Sequence, residues 1–342
     1  MKIILDAMGG DNAPEEIVKG AAQALTAYGP ELSILAVGDE EKVRAAAQKA
    51  GIRPDEPRFE IVHASQVIEM CDEPAQAIRR KKDSSIVVGL NLLKEGKGDA
   101  FVSAGSTGAL HVGASLIIRT VPGVKRPALA TIIPGSKKPY MLMDSGANVE
   151  CRADMLVQFG IMGSAYLEKV MGVKNPRVGL ANVGTEDHKG GTLQHETFAL
   201  LQKSGLNFVG NVEARDIPGD GADVIVADGF TGNVILKLYE GVAMELFGMI
   251  KELFSKNLKT KLAASLVLND MRALKKRVDY NEYGGAPIIG AAKPVFKAHG
   301  SAKAKTFKNA IRLTKAYVEG HVIEEISEAI TAFEQEHGGE QA

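Results

Sequence analysis

The feature that most restricts what this chain can fold into is a recurrent alternation. Short, unbroken apolar runs stop in loops of glycine, hydroxyl and acidic residues, and helical spacing begins directly afterwards. The clearest case is Asp99-Ala100-Phe101-Val102-Ser103-Ala104-Gly105-Ser106-Thr107-Gly108-Ala109-Leu110. Ala100 to Val102 reads as a buried strand, Ser103 to Gly108 as a loop, and Leu110, Val112 and Ala114 as the start of a helix. Strands that are apolar throughout, alternating with helices, predict an α/β fold. Its sheet is mostly parallel and covered on both faces, a three-layer α/β/α arrangement.

The pattern recurs four more times. Lys2 to Leu5 ends in Asp6-Ala7-Met8-Gly9-Gly10-Asp11-Asn12, and Tyr140 to Met143 ends in Asp144-Ser145-Gly146-Ala147-Asn148. Val178 to Ala181 runs into Asn182 through Gly191, and Val224 to Ala227 into Asp228-Gly229-Phe230-Thr231-Gly232-Asn233. Further strands are expected at Ser33 to Val37, Phe59 to His63 and Ala128 to Ile133. Helices are expected over 74–95, broken near Asp83-Ser84, and over 303–320 and 322–336. In a parallel sheet all strand C-termini lie on one rim, so the five loops converge there. Turns such as Lys174-Asn175-Pro176 and Gly219-Asp220-Gly221 fall on the opposite rim and read as connectors. No Pro/Ser/Gly linker divides the chain, so a single domain is expected over 1–342, including a protruding helical segment at about 240–280.

Several classes are excluded by composition. The net charge of −1 does not suit a nucleic-acid binder. The two cysteines, Cys71 and Cys151, form no CxxC, and the seven histidines form no HExxH, so no metal site is expected. The first apolar run is too short for a leader, and none reaches the ~18 residues of a membrane span; a soluble, cytoplasmic protein is expected. There is no GxGxxG opening the first helix, no GxxxxGK[ST] and no GxSxG. Cys71 lies beside Asp72 and Glu73, which disfavour its thiolate. What remains at the rim is backbone N–H groups, hydroxyls, Asn148, Asn233, His188 and Lys189, a set able to hold a phosphate-sized anion and stabilise an oxyanion without a cofactor. Each has a plainer alternative. Lys189 reads equally as a surface lysine, His188 as a local hydrogen-bonding residue, and Asn233 as a helix cap. Asp6, Asp144 and Asp228 read also as caps that brace neighbouring loops.

Four blocks carry a specific resemblance. Leu5-Asp6-Ala7-Met8-Gly9-Gly10-Asp11, Ser103 through Ala109, Asn182-Val183-Gly184-Thr185-Glu186 and Asp228 through Asn233 resemble the bacterial phosphate acyltransferases of phospholipid synthesis, the PlsX family. The similarity runs in order along the whole chain. It implies an isocitrate-dehydrogenase-like α/β/α fold related to phosphotransacetylases, a homodimer, and reversible transfer of an acyl group from acyl carrier protein to inorganic phosphate. The acyl phosphate would feed a membrane glycerol-3-phosphate acyltransferase. Such a reaction needs no protein nucleophile, because phosphate attacks the thioester itself. On the resemblance, Lys189 neutralises phosphate or the oxyanion, Asn233 donates a hydrogen bond to the same centre, and His188 handles protons. Asp6, Gly9, Gly10, Gly105, Ser106, Thr107, Asn148 and Asp228 would hold phosphate or line the channel for the pantetheine arm. The rivals are a phosphotransacetylase using a CoA thioester, a metal- and NAD-dependent dehydrogenase of the same broad fold, and an anion-binding scaffold without turnover.

Two charge features bear on partners. Arg79-Arg80-Lys81-Lys82 and Lys275-Lys276-Arg277 are alternative docks for an acidic carrier protein. The segment 242–278 holds eight bases against three acids, a surplus of five in a chain whose total is −1. Val242, Leu246, Met249, Ile250, Leu253 and Phe254 follow helical spacing, and Leu262 to Leu268 forms a compact apolar cluster. Peripheral attachment to an anionic membrane surface is expected there; a dimer interface with a basic rim is the alternative.

Overall fold

The computed structural model describes residues 1–278 and 284–337. The first part of the chain forms β1 (Lys2–Asp6), α1 (Glu15–Ala27), β2 (Ser33–Gly38), α2 (Glu40–Lys49) and β3 (Phe59–His63). Then come α3 (Pro74–Arg80), α4 (Ser85–Lys94), β4 (Ala100–Ser103) and α5 (Thr107–Gly113), which runs on into a wider turn, Ala114–Ile118. The middle holds β5 (Ala128–Leu129), β6 (Thr131–Ile133), β7 (Tyr140–Met143), α6 (Ala153–Met171), β8 (Val178–Asn182) and α7 (Thr192–Lys203). It continues through β9 (Phe208–Glu213), β10 (Val224–Val226), α8 (Gly229–Ser255) and α9 (Leu258–Val278). The last elements are β11 (Ala286–Ile289), β12 (Val295–Lys297), α10 (Ala304–Glu319) and α11 (Val322–His337).

These strands build two sheets, ordered β3-β2-β1-β4-β12-β11-β5 and β6-β7-β10-β8-β9. Seven of the ten strand pairings among the described residues are parallel, so the strand ends share a rim within each sheet. The unbroken apolar runs follow from burial on both faces. Ile3, Leu5 and Val102 pack into the layer with α1 and α10, whereas Ile4 and Phe101 face the layer with α4 and α5. In the second sheet Val224 and Val226 face α6, and Ile225 faces Ile235, Leu236 and Tyr239 of α8. This is the three-layer α/β/α arrangement expected from the sequence.

One core joins the two sheets. Phe296 of the first sheet and Tyr166 of α6 both contact Tyr317 of α10, at ring separations of 5.3 and 6.0 Å. Met141 and Val224 belong to the same cluster. Burial of aromatics this large contributes several kcal/mol each, and truncating one costs about 3–5 kcal/mol.

One boundary differs from the sequence reading. Ala128 to Ile133 is not one strand. Ala128–Leu129 pairs with β11 in the first sheet, and Thr131–Ile133 pairs with β7 in the second. Leu129 N–H donates to Asp144 Oδ1 at 3.1 Å, and its carbonyl accepts from Ser145 N at 3.0 Å, so the backbone there bonds to the loop after β7. In the region 74–95 the expected break falls where Ser84 caps α4, accepting from Val87 N. α8 and α9 protrude as a pair: along α8 only Gly229 and Gly232 are buried, and Leu238, Met244, Met249, Leu262 and Leu266 are all more than half exposed. Among the described residues no helix is long and apolar enough to cross a membrane.

Candidate functional site

The loops after β1, β4 and β12 are knitted together before any ligand enters. Asp6, fully buried, accepts from Ser103 Oγ at 2.6 Å and from Met8 N at 3.0 Å. Ser103 Oγ accepts in turn from Gly105 N at 3.0 Å. Burial pushes the Asp6 carboxyl above its usual range, although hydrogen bonds from Ser103, Ser85 and the Met8 and Gly9 amides oppose it. Gly9 and Gly10 are required by packing. A Cβ on Gly9 would lie 2.3 Å from Asp6 Oδ2 and 2.6 Å from Gly105 N, and Gly10 has φ +99° against the Gly300 carbonyl. Asp11 N–H donates to that same Gly300 carbonyl at 2.9 Å.

The second sheet is braced similarly. Asp144 Oδ1 accepts from the Gly146 and Ala147 amides, and Oδ2 from Asn148 N at 2.6 Å and Asn148 Nδ2 at 2.9 Å. The other Asn148 Nδ2 hydrogen goes to the Pro127 carbonyl. Asp228 caps α8, accepting from Thr231 N at 2.8 Å and Thr231 Oγ1 at 2.7 Å. Gly232 sits so close beneath the Asp144 carbonyl that a Cβ there would overlap it. Ser106 caps α5.

Between the two rims lies a cavity of about 330 Å³. Thr107, Lys297 and His299 line it from the first sheet, and Thr131, Ser145, Gly146 and Asn233 from the second, with Thr306 of α10. Leu129, Ile132 and Leu236 make the wall partly apolar. Asn233 lies on the first turns of α8, against Gly146, and is not the cap of that helix. Lys237 and Glu240 of α8 line the cavity too, and a lining so mixed suits a ligand with both polar and apolar parts.

The predicted residues therefore divide into three groups. Asn233 and Thr107 line the cavity. Asp6, Gly9, Gly10, Gly105, Ser106, Asn148 and Asp228 set the loops that form it. Lys189 and His188 stand one loop away, after β8, which neighbours β10. Asn182 Nδ2 donates to the Lys189 carbonyl at 3.0 Å, and the ammonium is 3.8 Å from Glu186. The His188 carbonyl is 2.9 Å from His195 Nε2, and the residue is exposed. A second cleft, of about 740 Å³, runs between this loop and Phe230, Thr231 and Val234.

Sequence reasoning missed Lys297 and His299. Lys297 ends β12, is 8% exposed, and donates from Nζ to the Ala104 carbonyl at 3.1 Å and the Ala298 carbonyl at 2.6 Å. Burial pushes its pKa down to about 8 while Asp6 and Asp11 pull upward. Burial likewise lowers His299. The available signal was a lysine closing a short apolar run, Val295-Phe296-Lys297, with a glycine-containing turn behind it.

This architecture defines the class first. The fold is that of the phosphotransacetylases. The EutD phosphotransacetylase of Staphylococcus aureus aligns with TM-score 0.60 at 21% identity, covering 93% of this chain and 94% of that one. A phosphotransacetylase of Streptococcus pyogenes aligns with TM-score 0.61 at 18% identity over the same shares. At such identities the likeness speaks for the fold alone. Sequence narrows the class further. Residues 1–325 match the family described as "Fatty acid synthesis protein". The phosphate acyltransferase of Thermoanaerobacter pseudethanolicus is 46% identical over 336 residues, 98% of this chain and 99% of that one. That of Clostridium acetobutylicum is 46% identical over 327 residues, covering 96% and 98%. The chain belongs to the phosphate acyltransferase family.

Proposed function

We propose that this acyltransferase moves an acyl group from the thioester of acyl carrier protein to inorganic phosphate, giving an acyl phosphate for phosphatidic acid synthesis. The observation that carries the reading is the cavity between the rims, where Asn233 and a ring of hydroxyls face a partly apolar wall. Phosphate is itself the nucleophile, so the reaction needs no covalent intermediate on the protein. An oxygen of bound phosphate attacks the thioester carbonyl; the tetrahedral oxyanion forms and then collapses, expelling the carrier thiolate. Asn233 donates to the oxyanion, and Lys189, on the adjacent loop, adds positive charge to the same centre. His188 assists proton transfer to the departing thiol.

The partners follow from the same reading: an acidic carrier docking on Arg79 and Arg80, which are exposed, and a membrane glycerol-3-phosphate acyltransferase receiving the product. Lys81 is already engaged by Asp72 at 2.5 Å, and the side chains of Lys275, Lys276 and Arg277 lie outside the described residues. The exposed apolar residues of α8 and α9 support a role for the helical pair in homodimer contact and in peripheral attachment to an anionic membrane at the cytoplasmic face. The shared core supports treating 1–342 as one functional domain. The test is phosphate-dependent acyl-phosphate formation from purified protein and acyl carrier protein thioester, trapped as the hydroxamate. No product, or a strong preference for the CoA thioester, overturns the donor assignment.

A further inference from the structure

Lys297 has the wrong surroundings for a structural lysine. It is buried at the end of β12, and among the described residues its ammonium donates to two neutral carbonyls, those of Ala104 and Ala298. Among the described residues no carboxylate stands within ion-pairing distance of Nζ. A buried ammonium without an ion-pair partner is costly and its pKa falls, and a bound anion offsets that cost. An ammonium has three N–H donors, and the two carbonyls use two of them. The remaining donor belongs to a side chain that lines the 330 Å³ cavity, which Asn233 and the hydroxyls of Thr107, Thr131 and Ser145 also line.

We propose that Lys297 is the cation that holds the phosphate substrate, donating its third N–H to a phosphate oxygen at the β12 end of the cavity. The proposal rests on the reading of the cavity given above and deepens it. Lys189, half-exposed beside Glu186, is then left for the oxyanion and the approach of the donor.

A proton signature follows. Free, Lys297 has a pKa depressed to about 8 by burial, so near that pH the empty site is only partly charged. A dianion at hydrogen-bonding distance favours the ammonium and draws a proton from solvent. The other charged groups facing Lys297 are Asp6 and Asp11, which favour its ammonium, and Lys237, which opposes it beside Glu240. His299 has its pKa pushed down by burial and stays neutral near pH 8.

The experiment uses the full chain and sulfate, a phosphate-shaped dianion that does not itself titrate in this range. Calorimetry at pH 8 in two buffers of different ionisation enthalpy should show uptake of roughly half a proton per sulfate bound. Inorganic phosphate should compete with sulfate. Lys297→Met, nearly isosteric, should weaken binding of either anion roughly ten- to a hundredfold and abolish the uptake. Lys297→Arg keeps the charge without titrating, so it should bind sulfate with no uptake. No sulfate or phosphate binding by wild type overturns the proposal. So does binding without proton uptake between pH 7 and 9, or wild-type affinity in folded Lys297→Met. The last outcomes hold whether or not acyl phosphate is made. Conversely, a Lys297-dependent anion site in a protein that makes no acyl phosphate overturns the functional reading and leaves the site standing.

Discussion

Asn233→Ala separates chemistry from scaffolding because the side chain does so little for the fold. It is exposed on α8, and its nearest neighbour across the rim is Gly146, where an added Cβ would sit 3.4 Å from Asn233 Cβ and Oδ1. The residue lies beyond the Asp228 cap, so the capping hydrogen bonds survive its truncation. A surface change of this kind alters stability by about 0.5 kcal/mol at most, a melting shift of roughly 1–2 °C in a chain of this size. Turnover should respond very differently. Removing one donor aimed at a developing oxyanion costs about 10²–10³ in rate, ~2.7–4 kcal/mol. The interaction exists only in the transition state, so kcat and kcat/KM should fall together, with KM for the carrier thioester little changed. Thiol release from the carrier thioester, followed against phosphate concentration, measures both, and a thermal melt checks the fold. A folded variant with kcat within tenfold of wild type refutes the oxyanion role.

Four further outcomes are expected. Lys189→Ala should lower kcat/KM at least tenfold with an unchanged melting temperature, since its exposed contact with Glu186 is worth under about 1 kcal/mol; full activity in the same thiol-release assay removes it from the mechanism. Arg79→Glu with Arg80→Glu should raise KM for the carrier substrate severalfold at low salt, with the gap closing near about 0.5 M salt; an unchanged KM at low salt places the dock elsewhere. Leu266→Glu with Val267→Glu should abolish co-sedimentation with anionic vesicles, with the oligomeric state of variant and wild type compared by sedimentation velocity; equal vesicle binding by variant and wild type excludes the proposed membrane role of α9. Asp223→Asn should destabilise by roughly 3 kcal/mol at pH 7, because the buried carboxylate holds Arg177 N and Nε and bonds Lys138. Burial alone would raise the Asp223 pKa, but those hydrogen bonds outweigh it and hold the carboxyl below its usual value. The wild-type advantage is therefore present above about pH 4 and lost as pH falls through the lower folded value, and urea melts at pH 7 and pH 3.5 showing the same difference would refute the assignment.

How much of this was legible in the sequence depends on what kind of information each feature carries. Runs such as Ala100 to Val102 are apolar at every position because both sheet faces are covered, so their state and the rim to which their loops belong follow from composition alone. Which strands pair is a different matter. Ala128 to Ile133 is apolar except for Thr131, and nothing local marks Ala130 as the point where the chain leaves one sheet for the other; that is decided by Asp144 and Ser145, more than ten residues on. The loop residues show the same division. Asp6, Asn148 and Asp228 were recognisable as functional-loop residues, yet their side chains are spent bracing the loops: Asp6 accepts from Ser103 Oγ and Met8 N, Asn148 donates to Asp144 and the Pro127 carbonyl, and Asp228 accepts from Thr231, an outcome that depends on atomic positions. Lys297 escaped because β12 is three residues long and strand periodicity cannot be read from three residues. Its chemistry was nevertheless visible in one respect: a lysine directly after Val295-Phe296 is placed where both neighbours demand burial. A charge that a strand carries into the interior is costly without an ion-pair partner, and here Asp6 and Asp11 act on it but no carboxylate of the described residues pairs with it. In a parallel sheet that missing charge falls on the rim where ligands bind, so the single polar residue closing a buried strand is a sharper pointer to the site than the glycine-rich loops around it.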